Sequence, residues 1–392
     1  MSVNIHVAAD LFEQRFNRPA QFAGRAPGRV NIIGEHTDYN HGFVLPMAIE
    51  RDTVIVCAPR DDSAFSLFSA NFDQQTNIDL NNPLRSEECP WSDYVSGVAA
   101  MLKDSGRDLR GADALILGDV PFGRGLSSSA SLEMAAVCMF QGLGGFKLEG
   151  TGAAELCLKV ENEFLGLATG IMDQFISSLA RKDHALFVDC RTLNCEHVPI
   201  QLPDAQFVIA DTGVARSLTD SKYNERVAEC GSAVAQLNKA LNTDATHLRY
   251  FEITQLFHAK DNLGDIEYHR ARHVITENER TRNARDALRN SDHVELGVLM
   301  NASDTSLDED YRVSCDELRT MTRIARSLEG CCGSRMTGAG FGGCTVSLVA
   351  RNNVDAFSAA LRRRYDEETG LACEIIVSSP AAGAETIALT WT

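Results

Sequence analysis

The chain of 392 residues has no apolar run near the roughly 20 residues that a membrane-spanning helix needs. Its N-terminus lacks the basic-then-apolar pattern of a secretory signal. Both absences point to a cytoplasmic protein. The twelve cysteines are scattered without a C-x-x-C pair, and Cys331 and Cys332 are merely adjacent. A cysteine metal framework is therefore not expected, and the thiols are read as reduced. No G-x-x-x-x-G-K-[ST] sequence occurs, which removes support for a P-loop nucleotide fold. Positive charge is in short supply: 37 basic against 54 acidic residues leave a formal net charge of −17. That balance argues against nucleic acid or an anionic membrane as a partner. An anionic substrate would need local positive groups or a metal ion.

What is present is ordinary globular composition, 44% hydrophobic and 23% charged, in a chain long enough for two domains. Apolar spacing predicts a helix over 7–18, then short strands near 21–26, 43–47, 53–59 and 65–70. Further helices are expected at 93–102, 132–143, 152–167, 267–290 and 353–368. Strands are expected at 113–117, 185–189, 207–211, 345–349, 373–378 and 385–390. The linker-like Gln201-Leu202-Pro203-Asp204 places a domain boundary there, dividing the chain into 1–203 and 204–392. The last two strands would finish the second domain.

Three stretches carry chemistry. In the first, Gly28-Arg29-Val30-Asn31-Ile32-Ile33-Gly34-Glu35-His36-Thr37-Asp38-Tyr39, an apolar pair sits among an arginine, an asparagine, a histidine and two carboxylates. The apolar pair can anchor a strand while the polar end projects into a cleft. Acceptors at Glu35 and Asp38 with donors at His36 and Thr37 suit a polyhydroxylated ligand. A polar turn with an Asx-type cap is the plainer alternative. The second stretch, Pro121-Phe122-Gly123-Arg124-Gly125-Leu126-Ser127-Ser128-Ser129-Ala130-Ser131, lies between a strand and an apolar helix. Glycines that free consecutive N–H groups, followed by serines at a helix start, make a phosphate cradle. A serine N-cap is the bland counterpart. In the third, Gly338, Gly340 and Gly343 satisfy G-x-G-x-x-G, but a β-branched strand follows where a dinucleotide site needs a helix. A glycine loop approaching phosphates or the first domain fits better. Asp173 sits among apolar neighbours, where a first-turn aspartate is the ordinary reading. His269 and His273 would share a helix face. With no H-E-x-x-H and no third ligand nearby, a solvated or partly packed face is preferred to a metal site, with Glu277 as the i+4 partner of His273.

The first stretch, continued by Gly42-Phe43-Val44-Leu45-Pro46, resembles the signature of galactokinases, members of the GHMP small-molecule kinase superfamily. The Pro-x-Gly-x-Gly-Leu-Ser-Ser-Ser stretch and the third glycine loop resemble two further GHMP motifs. Gly170-Ile171-Met172-Asp173-Gln174 is similar to the segment that carries the family's catalytic aspartate, although Thr169 stands where many relatives have cysteine. The resemblance covers nearly the whole chain. It implies an α+β fold of two domains, the N-terminal one like the second domain of ribosomal protein S5 and the C-terminal one ferredoxin-like. It implies ATP-dependent phosphorylation of the C1 hydroxyl of α-D-galactose, the entry to galactose catabolism by the Leloir pathway. Asp173 would be the base and Arg29 the transition-state stabiliser. Glu35, His36, Thr37, Asp38, Gly170 and Tyr223 would hold the sugar. Gly123, Arg124, Gly125, Leu126, Ser127, Ser128 and Ser129 would hold ATP, with Ser69 beside the nucleotide. Ser129 and Glu161 would ligate Mg²⁺. The implied partners are galactose and MgATP, on a monomer or weak homo-oligomer. Rival readings are another sugar kinase of this fold, such as one for N-acetylgalactosamine, or a non-catalytic galactose sensor. The unbroken serine run, Arg29 and Asp173 speak against the sensor.

Overall fold

A computed structural model describes residues 3–167, 169–214 and 219–390. Helix α1 (Ile5–Phe16) begins at Asn4, whose side chain accepts from the His6 N–H, and ends at a left-handed Asn17. Its Ala8 and Phe12 close one face of a sheet against Val54, Val56 and Leu115. That sheet is built from β1 (Phe22–Ile33), β2 (Phe43–Pro59), β3 (Ala64–Ser69) and β4 (Gln74–Asp79). After α2 (Asp93–Asp104), β5 (Ala112–Gly118) enters it parallel to β3. The segments expected as separate strands at 43–47 and 53–59 are one strand of 17 residues. Nothing between them is glycine or proline, and the chain stays extended through Glu50 and Arg51 while its pairing with β1 shifts register nearby. Polar β4 was not foreseen, because an exposed edge strand buries too little to show a period.

On the other face lie α3 (Ser128–Gly144), α4 (Gly150–Lys159) and α5 (Met172–Leu179). Helix α3 packs so closely on β1 that a Cβ at Gly24 would lie 2.1 Å from the Ala135 carbonyl oxygen. Residues Val160–Leu165 continue α4 as a π-helical turn, the local irregularity that carries Glu161. Strands β6 (His184–Asp189) and β7 (Asn194–Pro199) extend from the start of β2.

The second sheet runs through β8 (Ala205–Asp211). Beyond it come α6 (Thr219–Leu241), α7 (Ile253–His258), α8 (Asp265–Arg289), α9 (His293–Glu309) and α10 (Asp316–Ser327). The hairpin of β9 (Cys331–Met336) and β10 (Cys344–Ala350), helix α11 (Val354–Thr369) and β11 (Glu374–Ser378) follow. The order β11-β8-β10-β9, antiparallel throughout, is the ferredoxin-like arrangement, with α10 and α11 packed on one face. The final strand corrects an expectation. β12 (Glu385–Ala388) does not finish this sheet but pairs antiparallel with β1 of the first.

Between the sheets one apolar cluster joins Ile32 and Leu45 to Phe207, Ile209, Val346 and Leu348, with Ala284 and Leu288 of α8. Helix α8 also carries a buried polar face, where a solvated or partly packed one was expected: His273, Glu277 and Thr281 are fully buried. The reason is the loop that leaves β1. The Gly34 N–H donates to Glu277 Oε1 at 3.0 Å and the Phe43 N–H to Asn278 Oδ1 at 2.9 Å. His273 Nε2 lies 3.1 Å from the Glu35 carbonyl. Burial pushes the Glu277 carboxyl up, but Arg280, His273 and Arg335 outweigh it and bring it down to about 2. Replacing Glu277 by alanine strands the Gly34 N–H and the Arg280 guanidinium. Urea denaturation should show a loss of about 3–5 kcal/mol; a loss below about 1 kcal/mol would mean that the loop does not lean on this carboxylate.

Candidate active site

Arg29 lies on β1, buried, where the strand passes the start of α3 and α5. Its Nε and Nη2 donate to the two carboxylate oxygens of Asp173 at 2.8 and 2.7 Å, and its Nη1 donates to the Gly125 carbonyl at 2.6 Å. The Ser127 hydroxyl donates to Asp173 Oδ2 at 2.5 Å. Ser127 can reach because it sits at φ 60° just before α3, after glycines 123 and 125 at φ 68° and 77°. Asp173 is in the first turn of α5 and stays 29% exposed, open to a cavity of about 510 Å³.

Of the sequence-predicted sugar residues, Glu35, His36, Asp38, Gly170 and Tyr223 line that cavity with Arg29 and Asp173. Thr37 does not. It is fully buried and its hydroxyl is used on the Gly34 and Phe43 carbonyls, at 2.9 and 2.6 Å, clamping the loop. Glu35 accepts from the Gly338 N–H and the Asn31 amide, and Arg335 Nη1 is 3.7 Å away. The third glycine loop thus touches the first sheet, in a strand–loop–strand context. Burial pushes the Glu35 carboxyl up to about 7, against the lowering pull of Arg335 and Arg29. Burial, then the charge of Asp173, raises Asp38 to about 6. Glu35 is a buried and Asp38 a half-buried acceptor, each short of hydration that hydroxyl donors can replace.

The predicted triphosphate loop divides. Ser129 and Glu161 open on the large cavity. Gly123, Ser128, Ser129 and Ser69 line an adjoining one of about 220 Å³, which shares Tyr94 and Ser129 with the first. Arg124 turns away to pair with Asp211 at 3.2 Å. Leu126 is a core side chain, and its carbonyl accepts from the Arg29 N–H at 3.0 Å. Sequence reading missed the aromatic wall of the smaller cavity, Phe72, Trp91 and Phe122. Phe72 and Trp91 stack with centroids 6.3 Å apart, and Phe72 meets Phe122 at 5.2 Å. Phe122, inside the glycine motif, was the one signal available. Ser129 and Glu161 fit a hard divalent cation. The Glu161 carboxylate is pushed up by burial and further by Asp173, while Thr169, Gln174 and Ser129 hydrogen-bond it downward, so its environment calls for positive charge.

A guanidinium–carboxylate pair beside a serine-started helix, on this pair of sheets, defines a small-molecule kinase of the GHMP class. The models of the GHMP kinase N-terminal and C-terminal domains match residues 93–181 and 284–367. The galactokinase galactose-binding signature matches residues 10–59. The chain is 46% identical to the galactokinase of Chloroflexus aurantiacus over 372 residues, 95% of each chain. It is 39% identical to that of Streptococcus thermophilus over 389 residues, 98% of this chain and 100% of the relative. The crystal structure of Lactococcus lactis galactokinase complexed with galactose superposes with a TM-score of 0.92 at 36% identity, covering 97% of this chain and 99% of that one. A mevalonate kinase at 19% identity and a TM-score of 0.64 shares the fold. The chain belongs to the galactokinase family. Among the described residues no helix is long and apolar enough to cross a membrane.

A Cβ at Gly170 would fall 1.8 Å from Asp38 Oδ2. Gly170→Ala should displace Asp38 and raise the sugar KM about tenfold or more, the scale of one lost charged hydrogen bond, with little change in melting temperature. An unchanged KM would remove Asp38 from sugar binding. Because the folded Asp38 carboxyl titrates near 6 against 3.8 unfolded, its contribution to stability is complete below about pH 4 and lost as pH rises through 6. The urea midpoint of the ligand-free protein, relative to Asp38→Asn, should fall across that window. A constant difference would show that the carboxyl titrates alike folded and unfolded.

Proposed function

We propose that this chain transfers the γ-phosphoryl group of ATP to the C1 hydroxyl of α-D-galactose, giving α-D-galactose 1-phosphate and ADP. The observation that carries the reading is the Arg29–Asp173 pair, at 2.7 and 2.8 Å, facing the cavity that holds the galactose-signature residues. Phosphoryl transfer through a loose transition state asks mainly for alignment and charge neutralisation. Glu35, His36, Asp38 and Tyr223 hold the sugar so that its C1 oxygen meets Asp173. As that oxygen bonds to phosphorus and the bond to the departing ADP oxygen breaks, the hydroxyl proton passes to Asp173. Asp173, its oxygens already accepting from Arg29 and Ser127, orients the hydroxyl first and takes the proton late, as a loose transition state allows. Arg29 keeps its guanidinium where negative charge gathers on the moving group.

The triphosphate lies along the start of α3, where free N–H groups and the positive dipole end compensate charge that the rest of this acidic protein repels. The smaller aromatic-walled cavity takes the nucleotide base. Mg²⁺, when bound, neutralises phosphate charge. Ser129 and Glu161 would supply the protein oxygens that hold it. Twelve free cysteines suit the reducing cytoplasm.

Incubation with MgATP and galactose, followed by ³¹P and ¹H NMR, should show phosphate on C1. Phosphorylation elsewhere, or none, overturns the reading. Asp173→Asn should lower kcat roughly 10²- to 10⁴-fold while leaving galactose binding by calorimetry largely intact. Near wild-type turnover would reject Asp173 as the proton acceptor.

A further inference from the structure

His36 does not stand alone in the sugar cavity. Its Nε2 is 3.2 Å from the Ala339 carbonyl oxygen, which can only accept, so Nε2 carries a hydrogen. Its Nδ1 is 2.9 Å from the Tyr39 hydroxyl. Tyr39 Oη is 2.7 Å from the hydroxyl of Tyr311, and Tyr311 Oη is 3.1 Å from Cys230 Sγ. Tyr311 is fully buried and Cys230 nearly so. Burial raises the pKa of both tyrosines well above the usual range and that of Cys230 to about 11, so all three keep their hydrogens to donate. Asn40 ties the far end, donating to Cys230 Sγ at 3.6 Å and to the His36 carbonyl at 3.0 Å. The imidazole ring also rests on Tyr311 at 4.8 Å between centroids, and His36 is held at φ 62°, a conformation non-glycine residues rarely adopt.

For a neutral ring these contacts leave one consistent direction. If Nδ1 of a neutral ring accepts from Tyr39, then Tyr39 accepts from Tyr311, and Tyr311 accepts from the Cys230 thiol. We propose that Cys230, Tyr311 and Tyr39 form a one-way hydrogen-bond chain that fixes His36 as the neutral Nε2–H tautomer, a donor toward the sugar. They are positioning residues for sugar specificity and touch no reacting atom. The bond to Ala339 is at the long end of its range, so the same N–H can be shared with a sugar oxygen. An edge that only donates favours an accepting hydroxyl oxygen over a group with no lone pair to offer. This inference rests on the galactose reading of the cavity.

The test uses the full chain carrying ¹⁵N-labelled histidine, with the His36 signals assigned by their loss in His36→Gln. The wild-type spectrum near neutral pH should show a protonated Nε2 and an unprotonated Nδ1. Tyr39→Phe should mix the tautomers and raise the galactose KM about three- to tenfold, with kcat and the ATP KM within about twofold. Tyr311→Phe should act in the same direction, more weakly. A wild-type ring protonated on both nitrogens, or on Nδ1 alone, overturns the chain. So does a Tyr39→Phe protein with unchanged spectrum and KM, or one that loses kcat and both KM values together as a damaged fold would. If Tyr39→Phe does not fold, the wild-type spectrum and Tyr311→Phe decide. A wild-type protein that fails to phosphorylate galactose would overturn the proposed function and leave the tautomer measurement to judge the chain separately.

Discussion

A strand that turns into a polar loop inside the protein must find partners for its backbone, because a buried unpaired N–H or C=O costs as much as a lost hydrogen bond. That requirement governs the junction at Gly34–Phe43. Its N–H groups are met by Glu277 and Asn278 of α8, and the Glu35 carbonyl lies against His273. Thr37 closes the loop on itself through the Gly34 and Phe43 carbonyls. The helix that seals the two sheets apolarly is therefore also the one whose polar face shapes the loop that lines the large cavity.

Electrostatics works on the opposite scale. A chain with net charge −17 offers an anionic nucleotide little attraction at long range. The favourable terms are local: the start of α3, Arg29 at the cavity wall, and the proposed cation ligands Ser129 and Glu161. Arg124, a natural candidate for the phosphates, pairs with Asp211 of β8 and ties the glycine loop to the second sheet. The guanidinium that remains, Arg29, is held by the Asp173 carboxylate. This fixes the guanidinium in advance, so that in the proposed transfer it would need no reorganisation.

The legible parts were those with a strong local signature. The long helices α1, α3 and α8, the ferredoxin-like order and the three motifs fall where spacing and resemblance put them. Weakly patterned parts were missed: the polar edge strands β4 and β7, helices α9 and α10, and the return of β12 to the first sheet. An edge strand buries one face at most, and the partner of a terminal strand is fixed by what lies open in space. The placing of Asp173 against Arg29, 144 positions apart, was legible only through resemblance, since no local pattern links the two.

By itself the sequence determined which chemical groups are available: an arginine, carboxylates and a histidine on one short stretch, and glycines with serines at a helix start. Their type and spacing are covalent facts. Tertiary structure decided which of them work together. It spent Thr37, Leu126 and Arg124 on structure, gathered Glu35, His36, Asp38 and Asp173 around the large cavity, and built a wall from Phe72, Trp91 and Phe122. The reason is physical. A side chain's role depends on which hydrogen bonds are already satisfied and how much water remains around it, and both are settled only when distant segments pack.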